Sequence, residues 1–287
     1  MAGICSIIFC MDLPKRLLGQ TGMQVSVLGL GGEGILRTFG HEKEAHELIN
    51  LAIDLGITYF ESARAYSGSE SYYGGALLDR RDEIFLASKS HARDKEGALA
   101  HLAETLKAMK TEYLDLWQIH DVRTEEEMEE IFGPGGALEA FVEARKNGYT
   151  RFIGITGHHD PAVLRRCLQK FPFDTVLLPV NPGEPQHESF LTEVIPVAVA
   201  KRMGILGMKV YFRGLARRIP WYSGMEPFFR FALTQPITAA VIGCDNLMQL
   251  SENVEMARRF EAMPDQEATE LIDAVAPFAQ QLMYYKP

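Results

Sequence analysis

Residues 57–120 read ITYFESARAYSGSESYYGGALLDRRDEIFLASKSHARDKEGALAHLAETLKAMKTEYLDLWQIH. Three short apolar runs (TYFES, EIFLASK and LDLWQIH) alternate with two stretches whose apolar residues recur at helical spacing, SESYYGGALLDRR and KEGALAHLAETLKAM. Near-continuous apolar strands belong to a sheet buried on both faces, and strands joined through helices run parallel. The same unit recurs on either side of this stretch. Upstream, VSVLGLG precedes EKEAHELINLAIDLG, which ends at Gly56 as helices commonly end at glycine. Downstream, LDLWQIH is followed by GGALEAFVEARKNG, RFIGIT by PAVLRRCLQKF, and TVLLPV by SFLTEVIPVAVAKR. GILGMKV with MEPFFRFALTQ, and AAVIG with MQLSENVEMARRF, complete the series.

Eight strand–helix units therefore lie between about residue 25 and residue 260, which predicts a closed (β/α)8 barrel. A doubly wound open sheet, the alternative, normally needs fewer units. Ahead of the first unit, KRLLGQTGMQVSVLG with its turn at Gln20–Gly22 predicts a β-hairpin. After the last, QEATELIDAVAPFAQQLM predicts one extra amphipathic helix. No Pro/Gly/Ser-rich linker divides residues 12–287, which are read as one domain. Residues 1–11 are read as a candidate N-terminal extension, because Met11 begins a segment that looks like a natural start.

The 287 residues also suit one such barrel, which takes about 250. Apolar types at 47% and charged types at 23% exclude a disordered, collagen-like or disulfide-framework protein. With 29 basic against 38 acidic residues the formal charge is −9, which argues against nucleic acid and anionic lipid as partners. Cys5, Cys10, Cys167 and Cys244 form no CxxC pair, and no segment reaches the ~20 apolar residues of a membrane helix. The expectation is a cytoplasmic protein with reduced thiols and a small-molecule partner; the oligomeric state is left open.

Active sites of such barrels lie at the C-terminal ends of the strands. There the sequence places Glu61 with Tyr66 just beyond it, Lys89, His120–Asp121, Thr156–Gly157–His158–His159, Asn181, Lys209 and Gly243–Cys244. A lysine ending a buried apolar strand is costly unless its charge is paired or used. Glu61 is the candidate counter-charge, and one reading is a structural ion pair with polar neighbours. The other is a proton-donating constellation, in which Lys89 lowers the pKa of Tyr66 from about 10 and His120 orients a substrate oxygen. The His120, Asp121, His158 and His159 cluster allows a metal-dependent hydrolase, although strand one lacks an HxH pair and Lys89 and Tyr66 have no role in it. Gly29, Gly31 and Gly34 match GxGxxG, but a loop follows Gly34 and Asp54 sits inside a helix pattern, which disfavours an open-sheet fingerprint.

GITYFESARAY, SESYYGGAL, IFLASK and YLDLWQIHD, in that order on successive strand ends, resemble the aldo-keto reductase superfamily. The similarity runs from the hairpin to SENVEMARR. It implies an N-terminal hairpin closing the barrel bottom and NAD(P)H-dependent reduction of an aldehyde or ketone. It also implies Tyr66 as general acid, Lys89 depressing its pKa, Glu61 pairing with Lys89, and His120 orienting the carbonyl. Thr156 and Asn181 match the positions that hold the nicotinamide carboxamide, and Glu252 and Asn253 those that contact the adenine. Lys209 on strand seven, with Gly243 and Asp245 after strand eight, completes the expected cofactor wall. Several positions depart from the family pattern. Glu61 stands where the family has Asp, Gly157 follows Thr156 where a Ser-Asn pair is usual, and Leu177 takes the place of a Gln. Met208–Lys209–Val210 replaces an aromatic, and Asp245 lies in a stretch that is usually basic. The expected cofactor is NADPH, with Arg217 or Arg218 supplying charge, and NADH is the alternative; no metal is expected. A nucleotide-binding barrel without catalysis is the remaining alternative.

Overall fold

A computed structural model describes residues 12–287; the expected extension over 1–11 lies outside the described residues. Lys15–Leu17 (β1) and Gln24–Ser26 (β2) form an antiparallel hairpin. Eight parallel strands follow: Leu28–Gly34 (β3), Tyr59–Glu61 (β4), Phe85–Ser90 (β5), Leu114–Ile119 (β6), Thr150–Thr156 (β7), Thr175–Pro179 (β8), Gly204–Met208 (β9) and Ala239–Cys244 (β10). They pair in chain order, and β10 closes on β3. The barrel read from the alternation of apolar runs is thus formed. Parallel neighbours need a crossover, and helices such as Glu42–Asp54, Lys95–Met109 and Pro161–Lys170 supply it.

Two differences from the sequence reading have local causes. The run VSVLGLG divides at Val27: its first part pairs with β1 and the rest enters the barrel. Ser26 Oγ accepts from Thr58 N at 2.9 Å and donates to the Leu28 carbonyl at 2.6 Å, which secures that break. The helices expected over 189–202 and 266–283 are both interrupted near a proline. Pro196 starts a separate segment, Ile195–Ala200, after Phe190–Glu193. Pro277 lies in a 3-10 turn between Asp265–Val275 and Ala279–Leu282. A proline lacks the N–H and crowds the preceding turn, so neither helix continues unbroken.

The core has layers. One cluster packs helices on the outer barrel wall, with Trp117 stacked on Phe141 at 3.7 Å. A second fills the barrel interior with Tyr59, Phe85, Leu116, Leu177 and Leu206, and into it the hairpin inserts Leu18 and Val25. The hairpin approaches closely because Gly19 has φ +55 and no side chain; a Cβ there would lie 2.1 Å from Gly204 N. A third cluster, including Phe212, Phe228, Leu271 and Met283, fastens the segment after β9 to the C-terminal helices. That cluster brings the end of the chain to the open end of the barrel.

Leu18 is fully buried, so Leu18→Ala removes part of the plug beneath the barrel. We expect urea denaturation to show a loss of about 2–5 kcal/mol; unchanged stability would mean that the hairpin does not seal this end.

Candidate active site

Glu61 ends β4 and Lys89 lies one residue from the end of β5, on adjacent strands. Their side chains are almost entirely buried, 5% and 1% exposed, and Lys89 Nζ stands 2.6 Å from Glu61 Oε1. Lys89 also donates to the Ser62 carbonyl at 2.9 Å. The second carboxylate oxygen, Oε2, accepts from Tyr59 Oη and Gln118 Nε2, both at 3.4 Å. Burial pushes the Lys89 ammonium down, but Glu61 and Tyr66 together more than offset it, so the group is held above its ordinary value and stays charged. The glutamate at this position therefore reaches the lysine despite its extra methylene.

Tyr66 lies on the loop after β4, half-buried, with Lys89 Nζ 4.8 Å from its ring centroid. The Arg37 guanidinium also lies over the ring, 4.9 Å from its centroid. His120 meets Tyr66 edge-on, with centroids 5.8 Å apart. The four residues expected to carry catalysis are thus brought together, bordering one cavity. At Tyr66 the expected downward pull of Lys89 is one of two opposing influences. Burial raises its pKa above the usual 10, and Lys89 pulls it down without prevailing, so the phenol is a weaker acid than a free tyrosine. His120 is driven well below its ordinary value by burial and then by Lys89, which leaves the imidazole neutral. Its Nδ1 is buried and has no protein partner.

Thr156 ends β7 and accepts from Asp121 N at 2.8 Å, which leaves its hydroxyl proton free to donate. His158 Nδ1 lies 3.1 Å from Asp121 Oδ1, and Arg123 holds the other carboxylate oxygen at 2.6 Å. Burial and then Lys209 depress His158 to about 2, so it too is neutral. Among the described residues, no group of three or more His, Cys, Asp or Glu side chains is placed to hold a metal ion. The hydrolase alternative therefore gains no geometric support.

The cavity measures about 1790 Å³, well above the ~300–1000 Å³ of drug-sized ligand sites. Thr156, Lys209, Gly243, Asp245, Glu252 and Asn253 all border it, as do Leu177 and Met208. Asn253 is fixed by Tyr211, whose hydroxyl donates to its Oδ1 at 2.8 Å. The register of β10 shifts between Ile242 and Cys244, leaving Gly243 against Glu33, where a Cβ would lie 2.7 Å from Glu33 Cβ. Asn181 is placed differently. It is fully buried and outside the cavity wall, donating to Tyr285 Oη at 3.0 Å and accepting from Gly183 N at 3.1 Å. Of the two arginines considered for cofactor charge, Arg217 borders the cavity and Arg218 does not.

Sequence reasoning missed the contacts that long-range packing delivers. Glu33 pairs with Arg37 at 2.7 Å and Arg213 at 3.4 Å. Arg93 donates to the carbonyls of His120 and Asp121 at 2.8 Å each, bracing the end of β6. The end of the chain also lines the cavity: Lys286 makes a buried ion pair with Glu184 at 2.7 Å, and Tyr285 Oη donates to the same carboxylate at 3.2 Å. An apolar strand ending in Lys signals its own environment; the tail YYKP carries no such signal.

The sequence profile described as "Aldo/keto reductase family" matches residues 27–218. The chain is 27% identical over 288 residues to the uncharacterized oxidoreductase YqkF of Bacillus subtilis (strain 168), covering 85% of this chain and 90% of the relative. It is 25% identical over 304 residues to the L-galactose dehydrogenase of Arabidopsis thaliana, covering 91% and 93%. Its fold matches a holo-form aldo-keto reductase of Bacillus halodurans with a TM-score of 0.75, at 21% identity over 92% of this chain and 96% of that one.

Removing either member of the Glu61–Lys89 pair strands a buried charge. Glu61→Gln and Lys89→Met should each cost about 3–5 kcal/mol in chemical denaturation, and the double variant less than the two combined. Additive losses would show that the two groups do not depend on one another.

Proposed function

We infer, from the premise that this chain belongs to the aldo/keto reductase family, that its cavity reduces an aldehyde or ketone with Tyr66 as proton donor. The chain is an NAD(P)H-dependent oxidoreductase. The observation that carries the assignment of roles is the tyrosine at the cavity wall with a buried, carboxylate-paired ammonium beneath its ring.

The residues present suit a nicotinamide dinucleotide. The cavity has room for it beside a small substrate, and Leu177 and Met208 offer an apolar patch for the flat ring. Thr156 has a hydroxyl proton to donate to a carboxamide oxygen, and Asp245 and Glu252 can accept from ribose or adenine groups. Asn253 faces the same wall, although its Oδ1 already accepts from Tyr211. Asn181 would join the carboxamide contacts only by exchanging its bond to Tyr285. NADPH is our proposed cofactor, with Arg217 and Arg259 on the cavity wall as the charges for a 2′-phosphate; NADH binding in its place would assign Asp245 to a ribose hydroxyl. We place the protein in the cytoplasm and treat residues 12–287 as one catalytic unit. The acidic composition and the buried thiols Cys167 and Cys244 support that placement. Among the described residues no helix is long and apolar enough to cross a membrane.

When bound, the reduced nicotinamide supplies the hydride that a carbonyl carbon accepts. The chain's own work is at the oxygen. Neutral His120 can donate to the carbonyl oxygen without placing a second positive charge beside Lys89. Tyr66, kept protonated by burial, gives its proton as negative charge develops on that oxygen. An alkoxide is far more basic than a phenolate, so the transfer is favourable even from a phenol above pKa 10. Lys89 then faces the tyrosinate and stabilises it, and Glu61 keeps Lys89 charged and in place.

Tyr66→Phe should lower kcat by about 10²–10⁴ while fluorescence titration shows coenzyme affinity retained. Loss of both would make Tyr66 a structural residue. The raised Tyr66 pKa also sets a pH dependence. Reduction needs the neutral phenol and should persist through neutral pH, whereas alcohol oxidation needs tyrosinate and should climb with pH without levelling off before the ordinary tyrosine value of about 10. An oxidation limb that levels off near pH 8 in a pH–rate profile would contradict the assignment.

A further inference from the structure

Most buried and half-buried cations bordering this cavity have a carboxylate at hand. Lys89 has Glu61, Arg37 has Glu33, Arg93 has Glu127 at 2.9 Å and Lys286 has Glu184. Half-buried Lys209 has none within 4.0 Å among the described residues. Around it, positive charge is in excess: Glu33 already serves both Arg37 and Arg213, while Asp121 is engaged by Arg123. The neighbouring imidazoles of His120 and His158 are neutral.

The backbone is committed to this placement. Lys209 has φ +56, a conformation that residues other than glycine seldom adopt. Its carbonyl is held there by Phe212 N at 2.9 Å and Asn181 Nδ2 at 3.3 Å. The side chain extends to Tyr285, with Nζ 4.9 Å from the ring centroid, and Tyr285 is itself fixed by Glu184 and Asn181. A desolvated ammonium on an aromatic wall, without a counter-charge, has an unmet need for an anion. Backbone strain of this kind, over-determined by its surroundings, is concentrated at binding sites.

We propose that Lys209, with Arg213 beside it, is an anion-binding subsite of this cavity, and that it selects aldehydes or ketones carrying a carboxylate or phosphate. The inference rests on the reductase reading and adds the substrate class. The coenzyme's pyrophosphate presents the same chemistry, so the test separates the two sources.

The probes are 4-carboxybenzaldehyde and its neutral methyl ester, with wild-type protein, Lys209→Met and Lys209→Arg. Wild type should favour the carboxylate, and the carboxylate-to-ester ratio of kcat/KM should fall about tenfold or more in Lys209→Met, mostly through KM. Lys209→Arg should restore the preference. If instead the Kd for NADPH and NADH rises about tenfold in Lys209→Met while the ratio stays, the bound anion is the pyrophosphate and the substrate assignment is overturned. If neither the ratio nor the coenzyme affinity moves, there is no subsite. Calorimetric Kd values for the two aldehydes repeat the comparison without turnover. A protein that reduces neither probe would thus fail the reductase reading while still deciding this one.

Discussion

The Glu61–Lys89 ion pair is the interaction on which the catalytic end depends. A carboxylate and an ammonium are withdrawn from water at the ends of neighbouring strands, where each would be prohibitively costly alone. Their contact survives because the rest of both groups is also satisfied. Lys89 has a backbone carbonyl, and the second oxygen of Glu61 has a tyrosine hydroxyl and an amide. The longer glutamate arm is accommodated by that ring of donors. Tyr66 and His120 are then arranged around a fixed positive charge, and each responds to it in a definite direction.

At Tyr66 two effects oppose one another, and their order matters. Burial disfavours tyrosinate more than the nearby ammonium favours it. The free protein consequently holds a protonated phenol, the form that the proposed proton donation requires, and in that proposal Lys89 exerts its main effect after the proton has left. At His120 the same two influences act together and remove the charge. Burial therefore keeps both neighbours neutral before reaction, with the ammonium opposing it at Tyr66 and reinforcing it at His120.

Much of this was legible in the sequence. The alternation of buried strand and amphipathic helix made the barrel readable, and the barrel made the strand ends readable as a site. Lys89 stood out because IFLASK ends an apolar run with a charge. What could not be read depends on distant parts of the chain meeting. Lys286 reaches Glu184 across 102 residues, and Tyr285 thereby occupies the amide of Asn181. Arg213 finds Glu33 across 180 residues. The direction of the Tyr66 shift was also beyond reach, because a sequence names the charged neighbour but not the degree of burial.

The most direct test is a titration of Tyr66 itself in the protein without coenzyme. Tyrosines labelled with ¹³C at the ring carbon bearing the hydroxyl would be followed by NMR, with Tyr66→Phe used to assign the resonance. The account predicts a midpoint above the ordinary value of 10. A midpoint below it would show that Lys89 outweighs burial, and that the proton leaves Tyr66 far more readily than this balance allows.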